Sequence, residues 1–153
     1  MRFEQLDQTQ RLAFLRQMHE HLNREAFLGA LGEIPIDIDD IAERYGDAEA
    51  LAVYCSKAYG EDAPKITFGT EFVAALARIP DEQKQLEQLL TVMLHEMVHQ
   101  YCDENELDAF GHDETFRLIA DLYGLLEVYE DDEPRLHELS DRELLRFRYQ
   151  ETL

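Results

Sequence analysis

A histidine pair and a glutamate form the pattern H-E-x-x-H at His95, Glu96 and His99. In a helix, residues at this spacing lie on one face about one turn apart, so both imidazoles can reach one metal ion. Glu96 lies beside them, where it can act as a general base toward a metal-bound water. The metal would acidify that water and polarise a carbonyl group. The spacing therefore predicts a Zn²⁺ site that supports hydrolysis.

The histidine pair needs a third protein ligand, because a catalytic zinc ion commonly has three. The extended pattern H-E-x-x-H-x-x-G-x-x-H is absent, since Asn105 occupies the position of its last histidine. His112 is the strongest candidate, because Gly111 before it permits a turn that folds back onto the helix. Weaker candidates, in order of rank, are Asp113, Glu114 and the more distant His19, His21 and His137.

A long helix must carry the motif. Apolar residues recur at helical spacing from Leu86 to Leu94, without glycine or proline. Pro80 and the acidic Asp81 suit the first turn of a helix. The pattern predicts one helix from Pro80 to about Tyr101, followed by an acidic loop over residues 102–111. The motif also arises by chance in about a few per cent of such chains, but buried histidines and a buried glutamate are costly without a shared purpose.

The remaining elements are predicted from periodicity and punctuation. We expect a helix from residue 6 to about Phe27 capped by Asp7, a helical turn capped by Asp39 or Asp40, and a helix capped by Thr70 that ends near Ala77. A further helix begins at His112 or Asp113, and its inner face carries Phe116, Ile119, Ala120, Tyr123 and Leu126. A last helix runs from Asp141 to about Gln150, after a capping box at Ser140. We expect strands at Ile34–Ile38, at a sheet edge, and at Lys65–Phe68. The segment Ala50–Ser56 is ambiguous, because alanine favours a helix whereas Val53, Tyr54 and Cys55 favour a strand.

Several of these segments resemble the SprT-like zinc metallopeptidase domain, the catalytic domain type of Spartan. The run Leu89–His99 followed by Gly111–Phe116 is similar to that family's H-E-[ML]-x-H helix and its G-H-x-x-x-F helix start. Leu22–Leu31 resembles the family's L-N-x-x-x-F-x-G-x-L opening, and Lys65–Gly69 its I-x-[LF]-[SG] strand. The likeness covers about residues 10–125, and it favours a strand over the ambiguous segment Ala50–Ser56.

The resemblance implies a fold, a ligand set and an activity. The fold would be α+β and zincin-like, a minimal metallopeptidase with a small sheet of about three strands packed on helices that include the H-E-x-x-H helix. The zinc ligands would be His95, His99 and His112, and the catalytic residue Glu96. The activity would be zinc-dependent endopeptidase cleavage of protein substrates, in which Glu96 assists attack by a metal-bound water. We expect the substrate to lie extended along an exposed strand edge, at Lys65–Phe68.

Two departures from the family are visible in the sequence. Many relatives carry a C-terminal cysteine-rich zinc ribbon, whereas this chain has only Cys55 and Cys102. Relatives that act on DNA–protein crosslinks use basic DNA-binding elements, and no such element is visible here. The net charge of −20 repels phosphate backbones and argues against direct nucleic-acid binding. A basic protein or peptide substrate suits this charge better, although solubility alone also explains it.

Length and composition indicate a single domain over residues 1–153, with a core at about residues 10–125 and a helical extension at 134–153. No apolar run is long enough for a membrane helix, and the polar N-terminal residues do not resemble a signal peptide. Two cysteines without a spacing pattern suggest free thiols in a reducing cytoplasm. The oligomeric state is left open by the sequence.

Two other classes of function compete with a peptidase. The chain could be a catalytically silent protein-interaction module with a structural zinc, although such a site does not need Glu96. It could also be an acidic inhibitor or nucleic-acid mimic, for which charge is the only support. A peptidase further needs a donor for the developing oxyanion, and Tyr101, Tyr123, Tyr149 and several arginines are candidates.

Overall fold

The structure is a computed structural model, and it describes residues 2–56, 63–107, 111, 114–122, 125–126, 135–136 and 143–151. Five residues singled out from the sequence lie outside these ranges. They are His112, Asp113, Tyr123, His137 and Ser140, which starts the proposed capping box.

The described residues form an α+β fold, which confirms the predicted class. The α-helices are α1 Gln8–Glu25, α2 Ile41–Tyr45, α3 Thr70–Leu76, α4 Glu82–Glu104 and α5 Glu114–Leu122. The strands are β1 Ile36–Asp39, β2 Ala52–Cys55, β3 Lys65–Gly69, β4 Leu125–Leu126 and β5 Arg135–Leu136. Short 3-10 helices occupy Phe3–Gln5 and Glu143–Arg146. Strands β4 and β5 form a separate antiparallel pair.

The main sheet has the strand order β1-β3-β2, with β1 parallel and β2 antiparallel to β3. The expected substrate edge at Lys65–Phe68 is therefore wrong, because β3 is the central strand. Ile66, Thr67 and Phe68 are all buried, as is typical of a strand covered on both faces. The edge position predicted for the Ile34–Ile38 segment is confirmed, since β1 lies at one border of the sheet.

Helix α4 is the central element of the fold. Every residue from Leu89 to Gln100 is buried, as expected for a helix that is surrounded by other elements. The Asp81 carboxylate caps its start and accepts hydrogen bonds from the backbone N–H groups of Gln83 and Lys84 at 2.8 and 3.2 Å. Its end extends past the predicted Tyr101, because Glu106 adopts a left-handed φ of 58° and Leu107 N–H bonds to Cys102 O.

Helix α1 packs beside α4 and begins where the sequence predicts. The Asp7 carboxylate accepts from Gln10 N–H at 2.8 Å, and the Gln10 side chain accepts from Asp7 N–H at 2.9 Å. Asp40, one of the two predicted caps, caps α2. Thr70 differs from expectation, because it is the first residue of α3 and not its cap. The predicted inner face of α5 is shorter than expected, because the helix ends at Leu122 and Leu126 lies in β4.

The C-terminal segment docks on α1 without forming the predicted long helix. Leu144 and Phe147 are buried in the core, as expected for this segment. Residues 147–151 lack regular secondary structure, because the Gln17 side chain bonds both backbone groups of Gln150, at 2.7 and 2.9 Å. Among the described residues, none of the helices combines the length and apolarity needed to cross a membrane.

Candidate metal centre

His95, Glu96 and His99 come together in the middle of the buried segment of α4. One potential ligand atom from each lies within 4.8 Å of the corresponding atom of the other two. Their exposed fractions are 7%, 5% and 8%, so all three are withdrawn from solvent. Of the described residues, these alone form such a group. The pattern read from the sequence is thus a real cluster in space, built by one turn of one helix.

The two imidazole rings lie edge to face, with their centroids 5.0 Å apart. Phe116 of α5 packs against both, at 5.0 Å from His95 and 4.5 Å from His99. Phe116 is itself fully buried. This aromatic contact fixes the orientation of the two histidines and places the start of α5 beside them.

The Glu96 carboxylate lies at the same place on the helix and reaches toward β2. Its Oε1 is 3.9 Å from His95 Nε2. Burial raises the pKa of Glu96 well above its usual value, and the nearby backbone of Tyr54 opposes part of that rise. Glu96 is therefore a carboxyl that holds a proton more readily than an ordinary surface glutamate.

The chemistry of this group fits zinc. Imidazole nitrogen and carboxylate oxygen are both common zinc ligands, and tetrahedral bonds of about 2.0–2.1 Å place ligand atoms about 3.4 Å apart. Atoms already within 4.8 Å of one another need only small side-chain rotations to meet that distance. Two neutral imidazoles also tolerate burial in an apolar helix better than two charged side chains would. The described residues supply two histidine ligands and an adjacent carboxylate.

The other candidates from the sequence are separate from this group or lie outside the described residues. His112, Asp113 and His137 fall outside. Glu114 is exposed at the start of α5 and is not part of the cluster. His19 bonds through Nε2 to Gln100 Oε1 at 2.8 Å, and His21 bonds through Nε2 to Leu144 O at 3.1 Å.

Two of the candidate oxyanion donors have their rings packed on apolar neighbours. Tyr101 lies against Phe27 with centroids 6.2 Å apart, and Tyr149 lies against Phe14 at 5.2 Å. Cys102 is fully buried in the hydrophobic core, which fits a packing role and not a ligand role. Both Cys55 and Cys102 are free thiols.

One residue of the site was missed by the sequence analysis. The sequence predicts Tyr54 only as a strand residue, yet its backbone lies near Glu96 and its phenol donates a hydrogen bond to Asp103 Oδ2 at 2.6 Å. No local pattern reveals this, because Tyr54 and Glu96 are joined only by the packing of β2 on α4.

Comparisons with known protein families, with curated proteins and with solved structures found nothing that matches this chain.

Proposed function

We propose that this chain is a zinc-dependent endopeptidase of the SprT-like type, with a zincin-like arrangement of its helices and sheet. The observation that carries the proposal is the buried group of His95, Glu96 and His99, with ligand atoms within 4.8 Å of one another on the central helix. A buried carboxylate directly beside a histidine pair is the donor set that metal-assisted hydrolysis uses. A purely structural zinc site would gain nothing from Glu96.

His95 and His99 would hold the zinc ion, and His112 is the third ligand in this proposal. Support for His112 comes from its place in the chain, four residues before Phe116, a spacing of about one helical turn. The Phe116 ring contacts the rings of both His95 and His99. When bound, zinc supplies Lewis acidity that lowers the pKa of water and polarises the carbonyl of the scissile peptide bond.

Glu96 moves the proton in this mechanism. Its carboxylate takes a proton from the attacking water and delivers it to the leaving amine nitrogen. Glu96 suits this task by its place, because its Oε1 lies 3.9 Å from Nε2 of the candidate ligand His95.

The substrate edge moves from β3 to β2. In the antiparallel pair of β2 and β3, Leu51 O accepts a hydrogen bond from Gly69 N–H. Hydrogen-bonded positions alternate along such a pair, so Val53 also bonds to β3, whereas the backbone N–H and C=O of Tyr54 point to the outer edge of β2. That outer edge is the one that meets Glu96. An extended peptide that adds to β2 would therefore pass the reacting group.

The net charge of −20 favours substrates with basic side chains. The two free thiols fit a cytoplasmic enzyme.

Hydrolysis of a basic protein tests the proposal. Zinc-loaded protein is incubated with histones, and with casein for comparison, and cleavage is followed on gels. We expect cleavage that stops when a chelator removes the metal and that falls about 10²–10⁴-fold in Glu96→Gln, because that change removes the general base. Glu82→Gln, on the exposed first turn of the same helix, is the matched control and should cleave normally. A zinc-loaded wild type that cleaves nothing, or a fully active Glu96→Gln variant, would refute the proposal.

A further inference from the structure

Asp103 is a half-buried carboxylate near the end of α4. Its Oδ2 accepts a hydrogen bond from the phenol O–H of Tyr54 at 2.6 Å. Within the part of the chain that the structure describes, no cationic side chain forms an ion pair with Asp103. The neutral phenol therefore holds the carboxylate in place and leaves its negative charge without a counter-charge.

Two other partly buried carboxylates of this protein have a cation beside them. Asp37 Oδ2 lies 3.0 Å from Lys65 Nζ, and Glu4 Oε1 lies 2.5 Å from Arg2 Nε. A counter-charge offsets part of the cost of withdrawing a carboxylate from water. Because Asp103 has a neutral donor instead, it gains more from a cation that a bound molecule brings.

Asp103 lies on the same face of α4 as the candidate metal group. Glu96, His99 and Asp103 follow one another at spacings of three and four residues, and such spacings place side chains along one face of a helix. From His99 to Asp103 the helix advances by one turn, or about 6 Å along its axis. The unpaired charge is therefore one turn away from a candidate zinc ligand.

Strand β2 lies beside this part of the helix. It is an edge strand of the main sheet, and its Tyr54 side chain bonds to Asp103. An extended peptide advances about 3.3 Å per residue, so a peptide along β2 spans one helical turn in about two residues. A side chain about two residues from the scissile bond can therefore meet Asp103.

We propose that Asp103 determines substrate specificity, because its carboxylate binds the cationic group of an arginine or lysine about two residues from the scissile bond. The inference rests on the proposed peptidase function. It assigns a residue and a position to a preference that the net charge alone leaves general. The lone pairs that the Tyr54 phenol does not use are the acceptors for the substrate donors.

Cleavage of matched peptides tests the position. Blocked peptides carry one arginine that is moved a residue at a time, and each has a twin with citrulline, which keeps the shape of arginine without the charge. For the zinc-loaded wild type we expect kcat/KM to favour arginine about three- to tenfold at one position near the cleaved bond, as for one partly exposed charged hydrogen bond. Asp103→Asn should abolish this preference, because asparagine still accepts from Tyr54 but carries no charge.

Two further variants separate a local contact from the overall charge. Glu106→Gln removes one charge from an exposed residue three positions along the chain from Asp103, and it should keep the arginine preference of the wild type. Asp103→Lys should reverse the preference, so that a peptide with glutamate at the same position is cleaved faster than its arginine twin.

Binding to the metal-free protein gives a readout that does not depend on hydrolysis. Fluorescence anisotropy of labelled peptides should show that the arginine peptide binds about three- to tenfold more tightly than its citrulline twin. Asp103→Asn should remove this difference in affinity, and Glu106→Gln should keep it.

The outcomes separate this inference from the proposed function. A wild type that cleaves without an arginine preference, or an Asp103→Asn variant that keeps the preference, overturns the specificity role. An equal loss in Glu106→Gln, or an Asp103→Lys variant that still prefers arginine, also overturns it. A zinc-loaded wild type that cleaves no peptide refutes the peptidase instead, and the binding measurement then decides whether Asp103 holds an arginine.

Discussion

The ring of Phe116 lies against the ring of His99, with centroids 4.5 Å apart and planes tilted by 38°. This contact joins α5 to α4 at the candidate site. Phe116 is fully buried and also touches His95, so one side chain packs against both candidate ligands. The first turn of α5 therefore lies beside the histidine pair.

Replacing Phe116 should weaken both the fold and the site. We expect Phe116→Ala to lower the free energy of unfolding by about 3–5 kcal/mol, the usual cost of emptying a buried aromatic position. Zinc affinity should also fall, because the two imidazoles lose the surface that orients them. Urea unfolding and a competition titration with a zinc-binding dye measure the two effects.

Leu118→Ala is the control for Phe116, since Leu118 lies on the same helix and is 62% exposed. It should change the free energy of unfolding by less than about 0.5 kcal/mol, as is usual for surface positions. A Phe116→Ala variant that is as stable as Leu118→Ala and binds zinc as well would show that the aromatic contact is not needed.

The third ligand can be assigned by single substitutions. We expect His112→Ala to weaken zinc binding more than about 100-fold, since even loss of groups that merely support a ligand costs 10–100-fold. His137→Ala is the matched histidine control and should bind zinc like the wild type. If His112→Ala binds normally while Asp113→Asn does not, the carboxylate is the ligand and the assignment of His112 is wrong.

His19 should make the metal-free protein less stable in acid. Burial lowers the pKa of His19 below its usual 6.5, although the bond to Gln100 opposes the shift. The unfolded chain therefore binds this proton at a higher pH than the folded chain. The stability due to neutral His19 is complete above pH 6.5 and is lost as the pH falls through the lowered pKa.

The pH effect is measured by urea unfolding of wild type and His19→Gln. Glutamine can still donate to Gln100 Oε1 but does not titrate. Below the usual histidine pKa, the stability of the wild type should fall with pH more steeply than that of the variant, by up to about 1.4 kcal/mol per pH unit. Equal slopes in the two proteins would mean that His19 binds its proton alike in both states.

The sequence predicts the parts of this fold that depend on local signals. Helix α4 follows from its apolar periodicity, although Asp81, predicted in its first turn, is its cap, and α1 follows from the Asp7 cap, because caps and periodicity act within one segment. The spacing of His95 and His99 needs only a helix to bring the rings together. These features hold whatever the rest of the chain does.

Other features depend on packing between distant segments, and the sequence does not contain them locally. The position of β3 in the centre of the sheet is decided by which strands pair with it, although its unbroken buried run at Ile66, Thr67 and Phe68 was a usable signal. The extended tail at Gln150 is decided by the side chain of Gln17 on α1. The bond from the Tyr54 phenol to Asp103 likewise requires β2 to lie on α4.

The end of α4 shows a third kind of difficulty. Glu106 holds the left-handed position that ends the helix, with a φ of 58°, where glycine is the usual residue. Without a glycine to mark it, the sequence predicts the end near Tyr101. The added turn matters, because it carries Asp103, the partner of the Tyr54 phenol.

Zinc bound per chain, measured by equilibrium dialysis and metal analysis, tests the central claim most directly. The wild type should bind about one zinc ion per chain, and His99→Ala should bind almost none, because the site loses one of its ligands. His21→Ala removes a histidine of α1 that bonds to Leu144 O, and this variant should bind zinc like the wild type. A wild type without zinc, or a His99→Ala variant that binds it fully, would contradict the account.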